Sequence, residues 1–216
     1  MSTHSKHVAH HFDSAEQQYE AAQMGMWLFL TTEILFFGGL FLGYSIYRGQ
    51  YPEAFAEASG HLNVWLGGFN TIVLLSSSLT AALAVHAAQT GARKKTVQFL
   101  SCTLGLGLLF LAVKAVEYTM KFQEHLVPGP YFHAEHVPPH LLMGNVQLFF
   151  SFYFAMTGMH ALHMVIGMGI LVVLIILAAK GNYSPEYNTP VELFGLYWHF
   201  VDIVWVFLFP LLYLIG

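Results

Sequence analysis

Several charged side chains lie inside long apolar stretches of this sequence. Placing such a group in a bilayer is costly, so each one is a candidate functional residue. Apart from histidines, the positions that qualify are Glu33, Lys114, Glu117, Glu192 and Asp202. Glu192 begins an apolar stretch, where an acid can lie at the membrane interface. The others need either partners inside the bilayer or a function that requires them there.

Lys114 and Glu117 are three residues apart, which places both on one face of a helix and favours a local structural ion pair. A role in transport is the alternative. Glu33 lies about 13 Å into the first apolar stretch, at roughly 1.5 Å per helical residue. No basic residue lies within a turn of it, so the acid must be protonated, hydrated or paired across helices. It is either a structural acid or one that serves proton transfer or lipid binding.

Two further pairs share the same spacing: His160 with His163, and His199 with Asp202. A metal site needs three or four converging ligands, and haem needs axial histidines at matched depth. No carboxylate to support a ligand accompanies His160 or His163. We therefore interpret these histidines as hydrogen-bonding groups between helices and predict no metal in this chain. Metal or haem ligation is the alternative.

Trp198 and Trp205 lie four residues before and three after Asp202, on the same helical face. This spacing indicates packing around the acid. We expect the indole N–H groups to help satisfy the buried carboxyl group.

The remaining histidines of interest lie in polar segments with irregular spacing. One set is in the N-terminal tail, at His4, His7, His10 and His11. The other is in the longest connection, at His125, His133, His136 and His140. Prolines in that connection argue against a regular helix through its middle. We predict a solvated tail and a loop that faces solvent or a partner, with metal affinity as the alternative.

These residues must be positioned by membrane-spanning elements. Hydrophobic residues make up 56% of the chain and charged residues only 9%, with a mean hydropathy of +0.57. Five apolar stretches reach the roughly 20 residues that one span requires: 24–47, 64–88, 96–120, 146–179 and 191–215. Since backbone groups in lipid must bond internally, all should be helices. The sequence predicts an all-α, polytopic bundle after a polar tail at 1–23.

The basic residues predict the orientation of this bundle. Arg93, Lys94 and Lys95 fall between the second and third stretches, and Lys180 and Lys6 fall on the same side. The opposite side has only Arg48 and Lys121. Positive residues collect on the cytoplasmic side, so we expect the N-terminus in the cytoplasm and the C-terminus outside.

The composition also excludes some classes of function. A net charge of −4 does not suggest a nucleic-acid partner. The single cysteine, Cys102, cannot form an internal disulfide or a cysteine-rich metal site.

Gly39 and Gly43 form a GxxxG pattern, whose usual meaning is close helix packing.

Several motifs resemble subunit III of the haem-copper respiratory oxidases, in its five-helix bacterial form. They include GMWLFLTTEILFFGGLFLGY, FAMTGMHALHMVIG and YWHFVDIVWVFLF, which begin at Gly25, Phe154 and Tyr197. The run LNVWLGGFNTIVLLSSSLTAALAVHA and the short motif AVEY resemble the second and third helices. The resemblance therefore covers every predicted span, in matching order.

This resemblance implies a subunit without its own redox centre, in a complex whose subunits I and II hold haem and copper and reduce dioxygen to water. It also implies packing on subunit I, phospholipid binding, support of proton uptake, and a multi-pass location in the plasma or inner membrane. Association with further respiratory complexes is another implied possibility. The matching residues are Glu33, Glu117, His163, His199 and Asp202, and we add His160 as a proton- or lipid-related candidate.

The chain departs from the longer family members in two respects. The two helices that precede the Glu33 helix in those members have no counterpart here, and Lys114 stands where an uncharged polar residue is usual.

Three other functions are alternatives to a cytochrome c oxidase subunit: the third subunit of a quinol oxidase, an accessory protein of nitric oxide reductases, and a stand-alone proton or ion transporter. Transporters commonly contain internal repeats and broken helices, which this sequence lacks.

Overall fold

A computed structural model describes residues 12–133, 138 and 141–215. The described chain is helical, with the order α1 (Ala15–Gln50), α2 (Pro52–Gly60), α3 (Val64–Gln89), α4 (Arg93–Gln123), α5 (Met143–Lys180) and α6 (Thr189–Tyr213). Five of these helices, all except α2, are long and apolar enough to cross a bilayer. The prediction of an all-α protein with five spans is therefore confirmed. Of the histidines in polar segments, those at positions 4, 7, 10, 11, 136 and 140 lie outside the described residues.

The bundle is built around α3, α4, α5 and α6. Helices α3 and α4 form an antiparallel hairpin, α6 packs on both α3 and α5, and α5 packs on α4. Helix α1 lies against α5 and α6 at the edge of the bundle, and only 11% of its most apolar stretch is buried. The core between the helices is rich in aromatic side chains, including Trp198, Trp205, Phe110 and Phe149.

The N-terminal part of α1 extends beyond the predicted span. The helix begins at Ala15 because the Ser14 hydroxyl accepts a hydrogen bond from Gln17 N, at 3.1 Å. The Gln17 side chain in turn accepts one from Asp13 N, at 2.8 Å. This reciprocal pattern resembles a capping box. As a result, residues 15–23, which were predicted to belong to the polar tail, are helical.

The short helix α2 was not predicted, because its nine residues are too few and too polar to read as a span. Pro52 occupies its first turn, where a missing N–H costs nothing. The helix packs its Phe55 side chain against Tyr44 and Phe149. It also carries Ser59, which donates a hydrogen bond to Leu212 O at 2.8 Å. Tyr44 donates to Leu211 O at 2.7 Å, so α1 and α2 together cap the last carbonyls of α6.

Two glycines let Trp198 of α6 lie between α4 and α5. A Cβ atom on Gly107 would lie 3.2 Å from the Trp198 ring. A Cβ atom on Gly167 would lie 2.8 Å from the Tyr197 ring and 3.0 Å from Trp198. By contrast, a Cβ atom on Gly39 would meet nothing within 4 Å among the described residues. Within the described residues Gly39 therefore makes no close contact, because α1 lies at the bundle edge, whereas a Cβ atom on Gly43 would lie 3.4 Å from the Phe152 ring.

Gly167→Ala tests this close packing, with Gly169→Ala as the matched control on the same helix. We expect Gly167→Ala to destabilise the bundle by about 1–3 kcal/mol, because two rigid rings must move to admit the methyl group. Gly169 has no neighbour within 4 Å of a Cβ atom, so its alanine variant should be neutral or slightly stabilising. Thermal unfolding in detergent, followed by tryptophan fluorescence, measures both. Equal midpoints for the two variants would contradict the packing described.

Candidate functional site

A closed polar cluster joins α4, α5 and α6. Lys114 Nζ lies 3.0 Å from Glu117 Oε2, and it also donates to the hydroxyls of Tyr153, at 3.1 Å, and Tyr213, at 3.0 Å. Both tyrosines donate their O–H groups to Glu117 Oε1, at 3.0 Å and 2.6 Å. The three N–H donors of the ammonium group and both carboxylate oxygens therefore have partners.

This cluster is buried and is surrounded by aromatic rings. Lys114 and Glu117 are both almost fully buried, so neither charge is compensated by water. Four aromatic rings surround Lys114 Nζ at 4.9–5.7 Å from their centroids: Tyr118, Tyr153, Trp205 and Tyr213. The electron-rich faces of such rings attract a cation. The lysine thus makes contacts with residues of three helices.

A second pair joins α1 to α5. His163 Nε2 lies 3.0 Å from Glu33 Oε2, and His163 Nδ1 lies 2.8 Å from Met159 O. A carbonyl oxygen can only accept, so Nδ1 carries a proton. The short contact between Nε2 and Oε2 then requires one more proton, either on the glutamate or on the histidine. At least one proton therefore lies between the two side chains.

The glutamate partner of His163 was not predicted. The sequence predicts no carboxylate beside His160 or His163, and this prediction is wrong for His163, because Glu33 bonds to it from a position 130 residues earlier in the chain. The error arose because the contact crosses between helices, and spacing along one helix reveals only contacts within it. The pair is also partly accessible, with 18% of the Glu33 side chain and 12% of the His163 side chain exposed.

His160 has a different environment from His163. Its Nε2 atom donates to Val201 O of α6, at 3.1 Å, and its ring lies 5.4 Å from those of both Phe110 and Trp205. Its Nδ1 atom has no hydrogen-bond partner among the described residues. The contact with Val201 links α5 to α6.

His199 and Asp202 do not form a pair with each other. His199 Nδ1 lies 2.6 Å from the Ser78 hydroxyl of α3. In the described part of the chain neither Asp202 oxygen has a hydrogen-bond partner. Asp202 is 2% exposed, so its carboxyl group is buried inside the bundle.

The prediction that the indole N–H groups of Trp198 and Trp205 help to satisfy the Asp202 carboxyl group is wrong. Trp198 Nε1 donates to the Ser77 hydroxyl at 2.9 Å, and Trp205 Nε1 donates to Thr71 Oγ1 at 3.1 Å. Both indoles thus bind hydroxyls of α3 rather than the carboxyl group of Asp202. Both acceptors project from α3 towards α6, and the sequence of α6 alone contains no signal for them.

The candidate residues therefore fall into separate interhelical contacts rather than one reactive centre. Across residues 12–133, 138 and 141–215, no group of three or more His, Cys, Asp or Glu residues is arranged to hold a metal ion.

Tyr153, Tyr213 and Ser78 complete these contacts and were not predicted, because tyrosine and serine are ordinary residues in a packed span. Glu192 accepts a hydrogen bond from Gln89 Nε2 at 2.6 Å, near the ends of α3 and α6. Chemically, these contacts hold neighbouring helices together, and their carboxyl and imidazole groups can hold protons.

Comparison with known proteins gives the same family throughout. The family model described as "Cytochrome c oxidase subunit III" matches residues 2–124 and 141–216. A protein of Corynebacterium diphtheriae named "Cytochrome c oxidase subunit 3" is 34% identical over 194 residues, which cover 89% of this chain and 87% of that protein.

More distant organisms give similar matches. The protein of the same name from Synechocystis is 34% identical, over 88% of this chain and 74% of its own length. That of Gallus gallus is 32% identical, over 89% of this chain and 69% of its own. Since the family model covers all five spans and the relatives match most of their own length, the chain belongs to the cytochrome c oxidase subunit III family.

Proposed function

We propose that this chain is the third subunit of a proton-pumping terminal oxidase that takes electrons from cytochrome c and reduces dioxygen to water. The observation that carries the proposal is that Glu33, Lys114 and Glu117 are all bonded to side chains of other helices. Charged groups used in this way maintain a scaffold. The family match over nearly the whole chain supports the same assignment. Haem and copper then belong to the partner subunits I and II.

The outward faces of the helices support a role in holding partners. Helix α1 exposes large apolar side chains along most of its length, among them Leu28, Ile34, Leu35 and Leu42. Such a surface needs lipid or another apolar helix to cover it. We assign this surface to phospholipid and to subunit I, which the chain stabilises. The proposed location of the chain is the plasma or inner membrane, with its N-terminus in the cytoplasm.

We assign the support of proton uptake to the pair of Glu33 and His163. At least one proton lies between the two side chains, and both are partly exposed, so the proton is close to the surface of the bundle. His160, His199 and Asp202 are positioning residues in this proposal. The first two bond to neighbouring helices, and Asp202 lies buried inside the bundle.

Purification of the native complex through a tag on this chain tests the assignment. We expect haem and copper to copurify with the tagged chain, and the chain expressed alone to be colourless and free of stoichiometric metal. The reduced-minus-oxidised visible spectrum and metal analysis measure both. A tagged chain that purifies alone and conducts ions in vesicles would contradict the proposal and favour the transporter alternative.

Glu33→Gln tests the role of the shared proton. A glutamine amide still donates to His163 Nε2, so we expect the complex to assemble with unchanged haem spectra. The variant cannot release a proton, so its activity should decline faster during turnover. Glu33→Leu is the matched comparison, and it should also weaken assembly by about 1–3 kcal/mol because His163 loses its partner. Steady-state oxygen consumption over time measures the decline. Altered haem absorption in an assembled Glu33→Gln complex would place this residue near the redox centres and contradict the role.

A further inference from the structure

A cleft lies between the N-terminal extension of α1 and the connection that leads into α6. Its volume is about 610 Å³. One wall is formed by the extension, which carries Glu16 and Tyr19, and the other by Glu186 and Tyr187. Leu193 and Pro190 of α6 form its apolar base. The extension reaches about 13 Å beyond Met24, so the cleft lies at the membrane surface.

The charge of this cleft is negative and stays so. Hydrogen bonds from the Ser184 side chain, and then from its own backbone N–H, hold the pKa of Glu186 below its ordinary value. Glu186 is therefore ionised throughout the physiological range. Among the described residues that line the cleft there is no lysine, arginine or histidine. The basic residues on this side of the bundle, Arg93, Lys94, Lys95 and Lys180, lie outside the lining.

The tyrosines give the cleft a second property. Tyr19 is 42% exposed, its hydroxyl accepts a hydrogen bond from Gln23 Nε2 at 2.9 Å, and it lines the same wall as Glu16. Tyr187 lines the opposite wall beside Glu186. A guanidinium group stacks on aromatic faces and binds carboxylates through two parallel N–H bonds. A lysine ammonium group also pairs with the carboxylates, but it lacks the planar shape that stacks on an aromatic ring and binds a carboxylate through two N–H groups.

We propose that this cleft binds an arginine-bearing segment of a partner oxidase subunit at the membrane surface. The inference rests on the proposed function, because it requires assembly into an oxidase. The two carboxylates attract a guanidinium group and the tyrosine rings can stack on it, so a cationic protein segment is the occupant that matches the lining. The apolar base contacts the neighbouring side chains of that segment. Docking here attaches the exposed extension of α1 to the complex.

Photocrosslinking in the purified complex tests the proposal. p-Benzoylphenylalanine is placed at position 193 inside the cleft, and at position 90, on the same side but outside the lining, as the control. We expect position 193 to crosslink to a segment of another subunit that contains arginine, identified by mass spectrometry. Crosslinks from position 193 only to lipid, only within this chain, or no more often than from position 90 would overturn the proposal.

The paired variant Glu16→Gln/Glu186→Gln tests the role of charge. The crosslink yield should fall roughly three- to tenfold, since exposed ion pairs contribute modestly. The matched control is Glu53→Gln/Glu57→Gln on α2, which should leave the yield unchanged. Raised salt should weaken the crosslink in the unmodified complex but not in the Glu16 and Glu186 variant. An unchanged yield in that variant would overturn the electrostatic basis. If haem copurifies and the crosslink is absent, only this inference fails; if no haem copurifies, the proposed function fails.

Discussion

The buried pair of Lys114 and Glu117 joins α4 to α5 and α6 through shared hydrogen bonds. Two opposite charges removed from water are tolerated only when geometry and hydrogen bonding are nearly complete. The hydrogen bonding of this pair is completed by Tyr153 from α5 and Tyr213 from α6, because each tyrosine hydroxyl bonds to both charged groups. The pair on α4 therefore fixes where two other helices lie. In lipid, where apolar association is weak, such polar contacts supply much of the specificity.

The remaining contacts follow from that placement. With α6 held against α4 and α5, Trp198 lies between two glycines and Trp205 reaches a threonine of α3. Helix α1 is then added at the edge through Glu33 and His163, and α1 and α2 cap the end of α6. The described polar groups inside the membrane therefore mostly face other helices. The surfaces left outward carry many large apolar side chains, in accord with the proposed contacts with lipid and with larger subunits.

Hydropathy predicted the five spans because lipid imposes one strong requirement, a run of about 20 apolar residues. It did not predict α2, which is short and mostly polar, or the extension of α1, although Ser14 and Gln17 carry a capping signal. The spacing of Lys114 and Glu117 predicted that they could meet, since both lie on one helix. The tyrosines around them, and the bond from Glu33 to His163, depend on how separate helices pack. No periodicity within one helix encodes that information.

A double-mutant cycle on Lys114 and Glu117 tests most directly whether this pair acts as one unit in the assembled complex. The cycle compares Lys114→Met, Glu117→Met and the double variant by thermal stability in detergent. Each single variant leaves one buried group without its partner, so each should be strongly destabilising. The double variant removes both, and it should be at least about 1 kcal/mol more stable than the sum of the single losses predicts. Losses that add within about 0.5 kcal/mol would show independent sites and contradict the account.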